Sequence, residues 1–314
     1  MSPQHPDPQL DFFDVAQVIG PPARDYQDCM IYPFLSLQKN RTRPIVFSDR
    51  KRKIHLEIKS LPGTYIASIW DWDFLIAITS HLNEAIDRKL PTVNRVRFAP
   101  YPVLKAMSRG TSGREYQNLA HTVRRLHASH VVTNIREFDQ PYGYEVGFNW
   151  LTGYRIPKKY QDSKITEISP EGEADPTRPW EVDIPDWLYN SLHRREILAI
   201  HPDYFKLTGG IERWLYRLAR KAVPDKADTP SISFPLQMLY QYACVSAPIR
   251  KFRAKLAEIE AHHPLPEYGI RLLSGNKNTS VCIHRQYAET PRSRRGITDS
   301  HEFRGGTASL ARGE

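Results

Sequence analysis

Between residues 109 and 125 the chain carries Arg109, Thr111, Ser112, Arg114, Gln117, Asn118, His121, Arg124 and Arg125 against one acid, Glu115. These side chains can read nucleic acid. Arg pairs with guanine, Gln and Asn pair with adenine, and Ser and Thr reach bases or phosphates. A helix over 114–128 gathers Arg114, Gln117, His121 and Arg125 on one face, with Asn118 and Arg124 beside them. Tyr116, Leu119, Val123 and Leu126 fall on the other, buried face. A solvated surface helix usually mixes signs, with Glu placed four residues from Lys or Arg. The shortage of acid on this face favours an anionic partner.

A second run repeats the pattern over 246–261. Ile249, Phe252, Leu256 and Ile259 form the apolar stripe of a helix over 247–261. Ser246 suits its N-cap and Pro248 its first turn. Arg250 and Lys251 point outward, Arg253 and Lys255 flank them, and Glu258 and Glu260 are confined to the last two turns. A basic first half is what a reading helix inserts into a major groove. Lys51 and Arg52 belong to a basic stretch, residues 39–59, with eight basic residues against two acids. It is expected beside a duplex backbone or a replication partner. Lys277, in the turn SGNKN, and Arg292, Arg294 and Arg295 near the C-terminus are placed to touch phosphates. Arg213, Arg217, Arg220 and Lys221 read as the basic face of a helix over 211–222.

Motifs for other chemistry are missing. There is no GxxxxGK[ST] loop and no HExxH. No His-apolar-His pair sets a metal beside a nicking tyrosine. His121 and Arg124 match the H-x-x-R of tyrosine recombinases without any further catalytic arginine context. Asp71 and Asp73, in the run WDWD, read as a helix cap and a first-turn charge. Cys29, Cys244 and Cys282 stand far apart and read as small apolar residues. No catalysis, metal or cofactor is expected.

The elements that must position these residues fall into two blocks. The first has short strands over 31–37, 44–47 and 53–58, a helix over 71–89, a strand over 96–99 and helices over 102–108 and 114–128. Strands over 130–136 and 144–156, joined by FDQPYG, close it. The polar stretch 158–178 reads as a long loop or linker. The second block opens with a strand over 180–184 and a helix over 186–194. It continues with an extended stretch over 197–207, helices over 211–222, 235–244 and 247–261, and strands over 269–273 and 280–284. Three helices closed by a hairpin make a winged helix, whose third helix enters the groove. The expected fold is therefore α+β, with tandem winged-helix domains and flexible tails. The divisions are a flexible Pro-rich arm over 1–24 with a helical piece over 10–19, and a first winged-helix domain over 25–194 that includes the loop 158–178. A second winged-helix domain follows over 195–287, then a disordered basic tail over 288–314.

The chain has 314 residues, and 44 Lys and Arg against 35 Asp and Glu leave a net charge of +9. That balance favours an acidic partner and says nothing of fold. The mean hydropathy is −0.54, and no stretch reaches the ~18 apolar residues of a membrane span. The N-terminus lacks the apolar centre of a secretory signal, and three scattered cysteines suit a reducing cytoplasm.

The runs IYPFLSLQKN, TYIASIWDWDFLIAITSHL, SRGTSGREYQNLAHTVRRL and WEVDIPDWLYNSLHRREILAIHPDYFKLTGGIERWLYRLARKA resemble, in order, the replication initiator protein A family of bacterial plasmids. The resemblance covers roughly residues 30–225. It implies two winged-helix domains that bind direct repeats (iterons) in double-stranded origin DNA and open an AT-rich segment. It also implies recruitment of the host replicative helicase and initiator proteins, with a monomer on the repeats and a dimer repressing its own promoter. A transcriptional repressor without a replication role needs the same groove readout. A nicking enzyme using one of the 16 tyrosines is the third reading.

Overall fold

Residues 22–135, 144–157, 160, 179–224, 230–274 and 279–286 are described by the computed structural model. Most of the expected arm, residues 136–143 with the expected turn FDQPYG, nearly all of the expected loop 158–178, Lys277 and the expected basic tail lie outside them. The chain begins with a strand, β1 (Arg24–Tyr26), and a short helix, α1 (Gln27–Ile31). Two paired strands follow, β2 (Ile45–Asp49) and β3 (Ile54–Ser60), with apolar residues alternating inward.

The steps of four in Phe74, Ile78 and Leu82 produce α2 (Trp72–Asp87), which is buried on nearly every side. Each such side chain removed from water contributes about 1.5–3 kcal/mol, so α2 is the keel of the first half. Next come β4 (Arg95–Phe98), α3 (Pro100–Ala106) and α4 (Gly113–Ala128). They lead to β5 (Ser129–Thr133), β6 (Val146–Asn149), β7 (Gly153–Arg155), β8 (Trp180–Asp183) and α5 (Asp186–His193).

The second half has β9 (Ile197–Ala199), a 3-10 turn over Pro202–Lys206 and α6 (Gly210–Ala222). It closes with β10 (Ser231–Pro235), α7 (Leu236–Ala243), α8 (Ile249–His262), β11 (Tyr268–Ser274) and β12 (Thr279–Arg285).

Strand pairing corrects the expected first hairpin. β5 and β6 do pair, but β5 also pairs with β3, so they extend a four-stranded antiparallel sheet of order β2-β3-β5-β6. The expected strand over 144–156 breaks at 150–152, where Trp150 and Leu151 turn into the core. Its second part, β7, pairs with β8, and β8 pairs with β4, giving the order β4-β8-β7. The stretch 158–178 therefore joins two strands of one sheet, and β8 belongs with the first half instead of opening the second. Arg95 faces Asp183 at 2.7 Å and Arg97 faces Glu181 at 3.0 Å across this sheet. Such exposed pairs add a few tenths of a kcal/mol each but hold Val96 and Phe98 in register on the buried face.

The second half has the same order without an insertion: α6, β10, α7, α8, β11, β12, with sheet order β10-β12-β11. β10 was not expected, because SISFP is short and ends in proline. It is an edge strand, where a proline at the end removes no ladder bond. The N-terminal β1 crosses to pair with β9.

Candidate nucleic-acid interface

α4 forms as its periodicity dictates. Leu119, Val123 and Leu126 are fully buried, and Tyr116 stacks on Tyr160 with centroids 6.2 Å apart. Ser112, Arg114 and Gln117 are exposed at its first turns, and Thr111 and His121 are half-buried. Ser112 occupies the N-cap position without a side-chain cap bond. Asn118 donates to Glu115 at 3.2 Å.

The other expected members of this face turn inward. Arg125 grips Asp71 with two bonds, Nε to Oδ2 at 3.0 Å and Nη2 to Oδ1 at 2.5 Å. Asp71 also accepts from Thr122 Oγ1 at 2.9 Å and from Ser68 N and Oγ, each at 2.8 Å. Asp71 stands at the N-cap position of α2, as expected, but with helical backbone angles and without a side-chain cap bond. Arg109 donates to the Trp70 carbonyl at 2.7 Å and stands 3.6 Å from Asp73. Arg124 donates Nη2 to the Tyr160 carbonyl.

In α8, Phe252, Leu256 and Ile259 are buried, while Arg250, Lys251 and Arg253 are exposed. No carboxylate among the described residues pairs with Arg114, Arg250, Lys251 or Arg253. Pro248, not Ser246, is the N-cap residue, and Ser246 is exposed before it. Lys255 folds back to Glu212 at 2.9 Å and Glu258 at 2.8 Å. Lys51 is exposed in the β2–β3 turn, but Arg52 donates to the Tyr242 hydroxyl of α7 at 2.5 Å. Arg41 likewise donates to the Cys244 carbonyl at 2.6 Å. Part of the basic stretch thus ties the two halves together instead of facing solvent.

The largest departure is α6. Arg213 and Arg217 are buried at 4% and 1% exposure, against the expected outward basic face. Arg217 meets Asp25 at 2.5 Å and Arg213 meets Asp73 at 2.6 Å. Arg220 donates to the Ala199 carbonyl at 2.8 Å, and Lys221 reaches Gln27 Oε1. One signal was available in the sequence. Trp214, Leu215, Tyr216 and Leu218 wrap more than one face of the helix, as in a helix buried all round.

A cleft of about 580 Å³ opens beside the first turn of α4, bordered by Lys39, Trp70, Arg109, Arg114, Phe205 and Arg213. Lys39 Nζ stands 5.1 Å from the Trp70 ring centroid. Burial pushes the Asp73 carboxyl up from 3.8 to about 6, against the pull of Arg213 and Arg109 and with the charge of Asp71 adding to the rise. Between those pH values the folded chain holds a proton that the unfolded chain has lost. This group therefore makes the unfolding free energy fall as pH rises from about 4 to about 6, then level off. Asp73→Asn removes that slope. The wild-type minus variant difference in urea-unfolding free energy should decline across that window and stay flat from about pH 7 upward.

Among the described residues no group of three or more His, Cys, Asp or Glu could hold a metal ion. No helix among them is long and apolar enough to cross a membrane. Cys29, Cys244 and Cys282 form no disulfide with one another.

The family described as replication initiator protein A matches residues 24–270. A protein of Wigglesworthia glossinidia brevipalpis, named as a replication protein, is 26% identical over 244 residues, covering 77% of this chain and 82% of that one. Among solved structures, selenomethionine derivatives of domains 2 and 3 of RctB align with a TM-score of 0.57 at 12% identity, covering 82% of this chain and 98% of that one. A second structure of RctB domains 2–3 aligns at 0.51 and 12% identity, covering 81% and 95%. At that identity the likeness speaks for the fold alone.

Proposed function

We propose, from the premise that this chain belongs to the replication initiator protein A family, that it starts replication by binding repeated origin sites in double-stranded DNA. α4 and α8 act as the reading helices of two winged-helix units. The observation that carries this is the repeated order of helix, strand, helix, helix and hairpin, with the same strand order in both halves. In each half the third helix of the unit exposes cations at its N-terminal end that pair with no carboxylate among the described residues: Arg114 in α4, and Arg250, Lys251 and Arg253 in α8.

On this reading the two helices enter successive major grooves about 34–36 Å apart, one helical turn of DNA. Lys51 and the hairpin tips hold phosphates, which supply affinity without sequence preference. Binding along several repeats bends the origin and stores strain that favours strand opening. The chain works without covalent chemistry, in the bacterial cytoplasm on plasmid DNA. The host replicative helicase and initiator proteins are its partners, and it exchanges between monomer and dimer.

Footprinting on the DNA flanking its gene, at two salt concentrations, tests the reading. A ladder of regularly spaced direct repeats supports it. A single inverted repeat over a promoter identifies a repressor instead, and a nick in supercoiled origin DNA with Mg²⁺ identifies an enzyme. Arg114→Ala and Arg250→Ala should each weaken binding by about 1–3 kcal/mol and relax preference at one base. Lys51→Ala should weaken all sequences alike and reduce the salt slope by about 1. Unchanged binding of the repeat by both arginine variants removes the groove assignment.

A further inference from the structure

Three ion pairs run in series from one proposed reading helix to the other. Arg125 of α4 is held by Asp71, just ahead of α2. Two residues on, Asp73 holds Arg213 of α6, with Nη1 at 2.6 and 2.9 Å from its two oxygens. The residue before Arg213, Glu212, holds Lys255 of α8 at 2.9 Å. The central pair is buried on both sides, at 1% and 4% side-chain exposure. Beside it, Asp25 of β1 takes Nε and Nη2 of Arg217, one turn further along α6.

The seam that the central pair crosses is not filled by apolar packing alone. The cleft of about 580 Å³ lies along it, with Asp71, Asp73, Arg125 and Arg213 all in its wall. Apolar contact tolerates sliding, whereas a guanidinium held by a carboxylate and two carbonyls does not. Arg213 is held in that way, by Asp73 and by the carbonyls of Leu207 and Phe205 at 2.7 and 3.0 Å.

We propose that Asp73 and Arg213 are positioning residues that fix the separation and rotation of α4 relative to α8, and so select the spacing between the two halves of the DNA site. This rests on the reading of α4 and α8 as groove-binding helices. It predicts a measurable property that neither helix determines alone.

The test uses the full chain and duplexes selected by it from a random-sequence pool. One base pair, about 3.4 Å of rise, is inserted between the two protected halves of the selected site. Wild type should lose about tenfold or more in affinity. Asp73→Asn should lose less than about threefold on insertion, even where its affinity for the uninserted site has fallen. Phe98→Leu lowers stability through the core of the first half, and should keep the wild-type penalty. Arg213→Lys keeps the charge but loses the fork that reaches carboxylate and carbonyls together. It should behave as Asp73→Asn does, and it serves if that variant fails to fold.

Equal insertion penalties in wild type and the folded positioning variant overturn the spacing role while leaving the two-helix reading intact. Protection of a single half-site by wild type overturns the two-helix reading, and the spacing role falls with it.

Discussion

Arg217→Ala is expected to lower the unfolding free energy by about 3–5 kcal/mol. The guanidinium is 1% exposed, and it donates Nε and Nη2 to Asp25 at 2.5 and 3.2 Å. It also lies 5.6 Å from the Trp72 ring centroid. Asp25 is fully buried and accepts further bonds from Trp72 Nε1 at 2.7 Å and Tyr26 N at 2.8 Å. Without Arg217, two neutral donors remain for a full negative charge in a dry site. The loss comes from stranding the carboxylate more than from losing the pair, because desolvation offsets most of a buried pair's attraction. The double variant Asp25→Asn with Arg217→Met should therefore be more stable than Arg217→Ala. Urea titrations of wild type, Arg217→Ala and the double variant measure this. A single-variant loss under about 1 kcal/mol would mean that the pair does not hold the halves together.

Gly210→Ala is expected to be nearly as costly, about 3 kcal/mol, at the upper end of overpacking effects. A Cβ there would lie 2.2 Å from the Leu37 carbonyl oxygen, 3.0 Å from its carbon and 3.1 Å from Trp70. Two of those atoms are backbone, so no rotamer change relieves the clash. α6 must retreat, and it carries Arg213 and Arg217 with it. Gly113→Ala is the control. Nothing lies within 4 Å of a Cβ at Gly113, in the first turn of α4. Alanine there should be neutral or stabilise by up to about 1 kcal/mol, since glycine gives up more freedom on entering a helix. Thermal unfolding that ranks the two variants the other way would contradict the close approach of α6 to the 37–38 backbone.

Most helices were legible because their apolar stripes are local. The buried stripes of α4 and α8 follow from steps of three and four, whereas α2 and α6 are buried on nearly every side. Pairing was less legible. β5–β6 read as the closing hairpin of the first half because it follows the third helix directly. Its allegiance to β3, some seventy residues earlier, has no local signal. Charge was the least legible layer. Arg125, Arg213 and Arg217 look like an outward basic face because their carboxylates lie 54, 140 and 192 residues away. Periodicity says which side of a helix a residue takes. It cannot say that a buried acid waits on that side. Arg114, Arg250, Lys251 and Arg253 are exposed, and no carboxylate among the described residues competes for them.

The crossing of β1 to β9 has a consequence for the order in which the chain can be assembled. Asp25 leaves the ribosome 192 residues before Arg217. At about 5–20 residues per second that interval is roughly 10–40 s. Until α6 is made Asp25 lacks Arg217, and until β9 is made β1 lacks the strand it pairs with. The helices and sheets of the first half can close on themselves meanwhile. β1, made first among these elements, is thus among the last to be fastened, and it works as a seam that closes once α6 has been delivered.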